Sequence, residues 1–156
     1  MPRCRDRTGT PAEPAAWYAD TSVVGAVYCP GPLSEAAEAT LRALPAPPCV
    51  SWLTEVEFAS LVARKRRMGE LDAAEATAVL AAFGGHLAAG VYRSVPLEPP
   101  VYEAARRLIA ETLAPLRTLD ALHLAVVVRH ALGLVTADRD MAEAAEALGL
   151  AVRRVG

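Results

Sequence analysis

Lysine is almost missing from this 156-residue chain: of sixteen basic residues, Lys65 is the only one that is not arginine. With a formal net charge of −2, there is no global basic field of the kind that advertises nucleic acid. Cysteine is scarce and odd in number. Cys4, Cys29 and Cys49 show no C-x-x-C spacing, which argues against a disulfide scaffold and fits a reducing cytoplasm. No apolar run approaches the roughly 18 residues of a membrane span. The opening "MPRCRDRTGTPAEPAA" has no apolar stretch of the kind a secretory signal carries. Gly84 and Gly85 lead into neither a phosphate-binding loop nor a dinucleotide pattern. There is no G-x-S-x-G, so a hydrolase triad lacks support.

What remains is 53% hydrophobic, carried mostly by Ala, Leu and Val, with few aromatics. The length suits one domain with a substantial core. Residues 1–15 mix Pro, Gly, Thr and charge without periodicity and are expected to form a disordered tail; residues 16–156 are expected to form the domain. From there the chain alternates. "AAWYA", "CVSW", "VYRSVPL", "GLVTA" and "LAVRRV" have the composition of short buried strands. Between them fall helical patterns: "TSVVGAVYC", "GPLSEAAEATLRAL" with Ser34 placed to cap it, "LTEVEFASLVARKRRMGEL", "DAAEATAVLAAFGGHLAAG", "PPVYEAARRLIAETL", the almost wholly apolar "RTLDALHLAVVVRHAL", and "DRDMAEAAEALG". Strands separated by helices imply an α/β fold with parallel pairing and helices on both faces of the sheet.

The chain has six aspartates, and Asp20, Asp120, Asp138 and Asp140 fall at a strand end or in the first turn of a helix. Sites in open α/β sheets lie beyond the carboxyl ends of the strands, so acids far apart in sequence can meet there. The competing explanation is capping, since Asp is a favoured N-cap and suits the positive end of a helix dipole. Asp120 resists it. Thr118 stands where a cap would, leaving Asp120 inside the first turn of a buried helix, where an unpaired carboxylate is costly and a cation is the simplest relief. At about 100° per residue, Glu57 shares a stripe with Leu53, Leu61 and Met68 and is expected to face inward. Glu55 lies on the flank with Val62 and Arg66, and Arg66 is placed to pair with it. Carboxylates without Cys or paired His ligands select a hard divalent cation, Mg²⁺ or Mn²⁺. Such an ion can activate water and steady charge on a phosphodiester, which is nuclease chemistry. The run Arg64, Lys65, Arg66, Arg67 reads either as a solvated helix end or as a phosphate-binding rim.

Other chemistries fit less well. A phosphoacceptor or aspartate-based phosphohydrolase domain also has an aspartate after its first strand. The dehalogenase-like kind wants a second Asp two positions on, where this chain has Ser22, and both kinds want a lysine near the phosphate. His123, three residues after Asp120, could join a metal pair, but a hydrogen-bonded core histidine is the better expectation.

Four segments in order, "YADTSVVG", "SWLTEVEFASLVARKRRMGEL", "LRTLDALHLA" and "LVTADRDMAEAAEALGL", resemble the motifs of PIN-domain ribonucleases, and the match is closest to the VapC toxins of bacterial toxin–antitoxin pairs. It covers about residues 17–155. The resemblance implies a three-layer α/β/α sandwich around a mainly parallel sheet, a Mg²⁺ or Mn²⁺ centre and endoribonuclease activity. By position it makes Asp20, Glu57, Asp120 and Asp138 the catalytic and metal-holding acids, Asp140 an accessory acid, and Thr21, Ser22 and Thr136 supporting hydroxyls. With Arg64, Lys65 and Arg67 as the RNA-binding rim, the expectation is a cytoplasmic enzyme that holds one or two ions and leaves a 3′ hydroxyl and a 5′ phosphate. The resemblance also implies a homodimer and a cognate antitoxin laid over the acidic groove. A PIN-like module that binds without cutting is the non-enzyme alternative. One departure is at the start, where members commonly begin almost directly with the first strand.

Overall fold

A computed structural model describes residues 13–112 and 115–156. The expected tail therefore falls, for residues 1–12, outside the described residues; just after them, Glu13 pairs with Arg153 at 2.6 Å. The strands are β1 (Trp17–Ala19), β2 (Cys49–Ser51), β3 (Arg93–Val95), β4 (Gly133–Thr136) and β5 (Val152–Arg154). The helices are α1 (Thr21–Tyr28), α2 (Ser34–Arg42), α3 (Trp52–Arg67), α4 (Ala73–Ala88), α5 (Pro99–Glu111), α6 (Thr118–Arg129) and α7 (Arg139–Ala147).

The five strands form one sheet in the order β3-β2-β1-β4-β5, and every pairing is parallel. The chain steps outward from β1 to β3, then crosses back to lay β4 on the other side of β1. The strand order thus reverses between β1 and β4, the position where open sheets of this kind leave a crevice at their carboxyl edge.

Period-2 alternation divides the interior in two. Tyr18 and Leu134 face a core made with α5, α6 and α7, where Val101, Ala105, Leu124 and Met141 pack. Trp17, Ala19, Val50 and Val135 face the other, with Val23, Val24, Phe58, Val62 and Phe83. The result is the expected α/β/α sandwich. Helix α6 has an unbroken buried run from Ala121 to Val127 because it lies between the sheet and α5. Gly133 begins β4 against the Trp17 ring, and a Cβ there would come within 2.5 Å of it.

Two expected caps are absent. Ser34 is the first residue of α2, not its cap; its hydroxyl accepts the Gly31 N–H at 2.9 Å, closing the turn before the helix, and Leu33 occupies the cap position without a side-chain bond. Thr118 is likewise already helical, with Arg117 at the cap position of α6 and no side-chain cap bond. A residue with helical backbone angles cannot fold its hydroxyl back on to the first free N–H groups. Trp52 begins α3 instead of ending β2, because Ser51 and Thr54 form a capping box there.

Candidate active site

Asp20 leaves β1 with its N–H still bonded to Val135 O at 3.3 Å, so the ladder to β4 carries it to the crevice. Its carboxylate is 1% exposed. Oδ1 accepts the Ser22 hydroxyl at 2.6 Å and the Val23 N–H at 3.2 Å, and Oδ2 accepts the Thr136 hydroxyl at 2.6 Å. Burial pushes its pKa up, and the Ser22 and Thr136 hydrogen bonds act against that. Asp20 is therefore an N-cap of α1 and also a buried carboxylate. About four lone-pair sites are available on a carboxylate, so these three donors leave it one more bond to make.

The same hydroxyls join the ends of β1 and β4. Ser22 Oγ accepts the Ala137 N–H and Thr136 Oγ1 accepts the Asp138 N–H, both at 2.9 Å. Asp138 caps α7 by accepting the Met141 N–H on Oδ1 at 2.9 Å. Its Oδ2 has no partner among the described residues.

Glu57, on α3, turns toward α1 and α6. Its Oε2 accepts the Thr21 hydroxyl at 2.5 Å and faces His123 Nε2 at 2.6 Å. Burial alone would raise its pKa, but the bonds from His123 and Thr21 outweigh it and hold the carboxyl below its ordinary value. Glu55 lies on the flank, where Ser94 donates to Oε1 at 2.6 Å; that hydroxyl on β3, not Arg66, is its partner.

Asp120 sits half-buried in the first turn of α6 with no hydrogen-bond or ion-pair partner among the described residues. Burial and then the charge of Asp138 push its pKa up, Glu57 adds to this, and the Arg117 guanidinium opposes it. Asp120 is thus close enough to feel both Asp138 and Glu57. Asp140 is not brought in: its side chain is 70% exposed, beside Arg139 at 3.8 Å. Of the basic run, Arg64 and Arg67 are exposed on α3, and Lys65 pairs with Glu70 at 2.5 Å.

No three His, Cys, Asp or Glu side chains among the described residues stand close enough, as placed, to chelate one ion. Asp20 and Glu57 are turned on to hydroxyl, amide and imidazole donors instead. The chemistry of the donor set nonetheless fits a hard cation. Every open position belongs to a carboxylate oxygen, both His123 nitrogens are occupied, and Cys29 and Cys49 are free thiols buried in the cores. Reasoning from sequence did not single out Tyr18, Ser51 or Thr54, whose hydroxyls meet behind His123. The register of β1 against β2 sets Tyr18 beside the Ser51–Thr54 capping box, and no local motif marks that meeting.

Residues 17–147 match the sequence model of the PIN domain family. No curated protein matches the chain. Among solved structures, Mycobacterium tuberculosis VapC20, described as a sarcin–ricin loop cleaving toxin, superposes with a TM-score of 0.69 at 19% identity, covering 89% of this chain and 99% of that one. VapBC2 from Rickettsia felis, bound to a DNA fragment from its promoter, gives 0.68 at 12% identity over 90% and 99%. A toxin–antitoxin complex from Klebsiella pneumoniae gives 0.60 at 20% over 81% and 90%. At these identities the likeness is one of fold.

The raised pKa values of Asp20 and Asp120 have a thermodynamic consequence. Folding tightens their hold on protons, so the metal-free protein loses stability as pH rises from their ordinary value of 3.8 through the folded values. Glu57 has the opposite sign: its contribution is complete above its ordinary value of 4.5 and is lost as pH falls through the folded pKa. Asp120→Asn removes one of the two downward contributions. In a chelating buffer the variant should melt above the wild type at pH 7, with the gap closing toward pH 4, at about 2–4 °C per kcal/mol for a domain of this size. A variant that melts below the wild type at pH 7 would contradict the assignment.

Proposed function

Because the chain belongs to the PIN-domain family, we propose that it is a divalent-metal-dependent endoribonuclease, the toxin of a bacterial toxin–antitoxin pair. The observation that carries this reading is the pressure on Asp120. In the first turn of a helix with no side-chain cap, its carboxylate has no partner among the described residues and is pushed toward protonation by burial first, then by the charges of Asp138 and Glu57. A cation between these acids relieves that pressure, whereas capping alone does not.

The candidate ligands for Mg²⁺ or Mn²⁺ are the remaining lone pair of Asp20, Oε1 of Glu57, Oδ2 of Asp138 and the carboxylate of Asp120, directly or through water. Asp140 is at most an accessory contact. When bound, such an ion lowers the pKa of water and neutralises charge on a phosphodiester. The chain's own residues do the positioning. Ser22 and Thr136 orient Asp20, Thr21 orients Glu57, and the backbone N–H groups that open α1 and α7 anchor Asp20 and Asp138. An attack by water needs no base on the 2′ hydroxyl, so the products are a 3′ hydroxyl and a 5′ phosphate.

The groove is acidic, so something else has to attract a polyanion. Arg64 is seven positions beyond Glu57 on α3, nearly in line with it, and exposed. It is our candidate for the phosphate contact, with Arg67 and Lys65 along the same helix end. The reading also gives the chain two protein partners, a second copy and a cognate antitoxin, and the toxin–antitoxin complex among its fold neighbours supports the latter. Among the described residues no helix is long and apolar enough to cross a membrane. The reading puts the enzyme in the cytoplasm with its RNA.

The purified protein should cleave RNA in Mg²⁺ or Mn²⁺ and stop in EDTA, without need of Zn²⁺. Glu57→Gln should lower the rate by about 10- to 100-fold or more, while Glu55→Gln changes it little. Undiminished cleavage in EDTA would sink the metal reading, and loss at Glu55 instead of Glu57 would reverse their roles.

Arg64→Ala should weaken RNA binding and flatten the dependence of log affinity on log salt by about 0.7, the value for one phosphate contact on a single strand. Mn²⁺ affinity should not fall. Affinities measured at three salt concentrations check this, and unchanged affinity and slope would return Arg64 to the solvated surface.

A further inference from the structure

Behind Glu57 lies a hydrogen-bonded circuit whose other members are not candidate ligands. Tyr18, in the middle of β1, is fully buried, and its phenol oxygen meets three groups: Ser51 Oγ at 2.8 Å, Thr54 Oγ1 at 3.0 Å and His123 Nδ1 at 2.6 Å. His123 is 2% exposed, and its other nitrogen, Nε2, faces Glu57 Oε2 at 2.6 Å. Thr54 and Glu57 are three residues apart on α3. The circuit therefore starts and ends on one helix, passing through β1 and α6 on the way.

Counting protons gives it a direction. An ionised carboxylate only accepts, so Nε2 of His123 carries the hydrogen. A neutral imidazole has one N–H, so Nδ1 accepts from the Tyr18 O–H. The phenol has then used its single proton, and the Ser51 and Thr54 hydroxyls donate to it. Both hydroxyls can do so: each accepts a backbone N–H, Ser51 Oγ from Thr54 at 3.4 Å and Thr54 Oγ1 from Ser51 at 3.3 Å, and the long 3.4 Å contact between the two oxygens then carries no proton. Burial raises the phenol pKa and keeps it protonated.

The geometry bears on the site through Glu57. Both of its donors, His123 and Thr21, converge on Oε2. Oε1 has no partner among the described residues. A glutamate on a helix surface samples many rotamers, and fixing it in one costs entropy. Here one oxygen is pinned from two sides and the other is presented. We propose that Tyr18 and His123 are positioning residues for the cation centre, the relay Tyr18–His123–Glu57 fixing the carboxylate so that Oε1 alone is offered as a ligand. His123 is not itself a ligand, because both of its nitrogens are in use. This inference rests on the reading that Glu57 helps to hold a cation. Carboxylate ligands elsewhere are oriented by hydrogen-bonded partners in this way, and loss of such a partner costs about 10- to 100-fold in metal affinity.

Two measurements on the full chain test it. The first is the His123 tautomer in metal-free protein, read from long-range ¹H–¹⁵N correlations. The relay requires a proton on Nε2, and a bare Nε2 with the proton on Nδ1 overturns it. The second is Mn²⁺ affinity by calorimetric titration. His123→Leu should bind about 10- to 100-fold more weakly than the wild type. His123→Gln, whose amide restores a donor at the Nε2 position, should recover most of that loss. Tyr18→Phe, which deletes one oxygen and keeps the ring, should fall between them. Wild-type affinity in both His123→Leu and Tyr18→Phe overturns the relay, as does a Gln variant no better than Leu. Should the Leu variant fail to fold, Tyr18→Phe and the tautomer decide. Wild-type protein that does not bind Mn²⁺ would sink the nuclease reading, and the tautomer would still decide whether Glu57 is held as described.

Discussion

Taking the Asp20 carboxylate out of water is the constraint that organises this molecule. An isolated buried carboxylate would neutralise or unfold its surroundings. Asp20 is instead met by two hydroxyls and a backbone amide, which come from α1 and from the end of β4. The hydroxyls have a second task. Ser22 and Thr136 each accept a backbone N–H from the segment leaving β4, so the donors that hold Asp20 also fix the path of the chain toward Asp138. The two central strands are joined at their carboxyl ends by side chains, where the backbone ladder stops. The crevice produced by the reversal of strand order becomes a rigid site in this way.

Helices α1, α6 and α7 begin beside these acids, and their positive ends offset part of the acidic charge. Asp20 caps α1 and Asp138 caps α7. Capping and site formation are then not rival explanations for these two residues, since each leaves a lone pair free after capping. Asp120 differs. Its helix has no side-chain cap, it forms no hydrogen bond among the described residues, and its pKa is pushed up by burial and then by neighbouring acids. The acid least used by the fold is the one most exposed to the others' charge, as expected of a group whose partner is not part of the chain.

Much of this was legible in the sequence because it depends on local pattern. Short apolar runs between helical periods predicted a parallel sheet with helices on both faces. Acids at strand ends pointed to one edge, and helical phase separated Glu57 from Glu55. The failures were at positions where one residue of register decides the chemistry. Ser34 and Thr118 have the right identity for caps but sit one position too late to act as such. Arg66 had the right phase for Glu55, but Ser94 on the neighbouring strand reaches it first. Asp140, two residues after Asp138, points to solvent because it lies beyond the cap of α7. Tyr18 was only one residue of a short buried strand, and nothing in its neighbourhood signals that β1 aims its hydroxyl at His123, 105 residues away.

The central claim is that these carboxylates cut RNA, and the ends left in the cell test it most directly. RNA ends would be mapped after brief induction of the wild-type chain and of Asp20→Asn, which keeps an oxygen for capping but removes the charge. The account predicts new 5′-phosphate ends at discrete positions in the wild type and none in the variant. The same ends from both proteins, or ends carrying a 5′ hydroxyl opposite a cyclic phosphate, would contradict it.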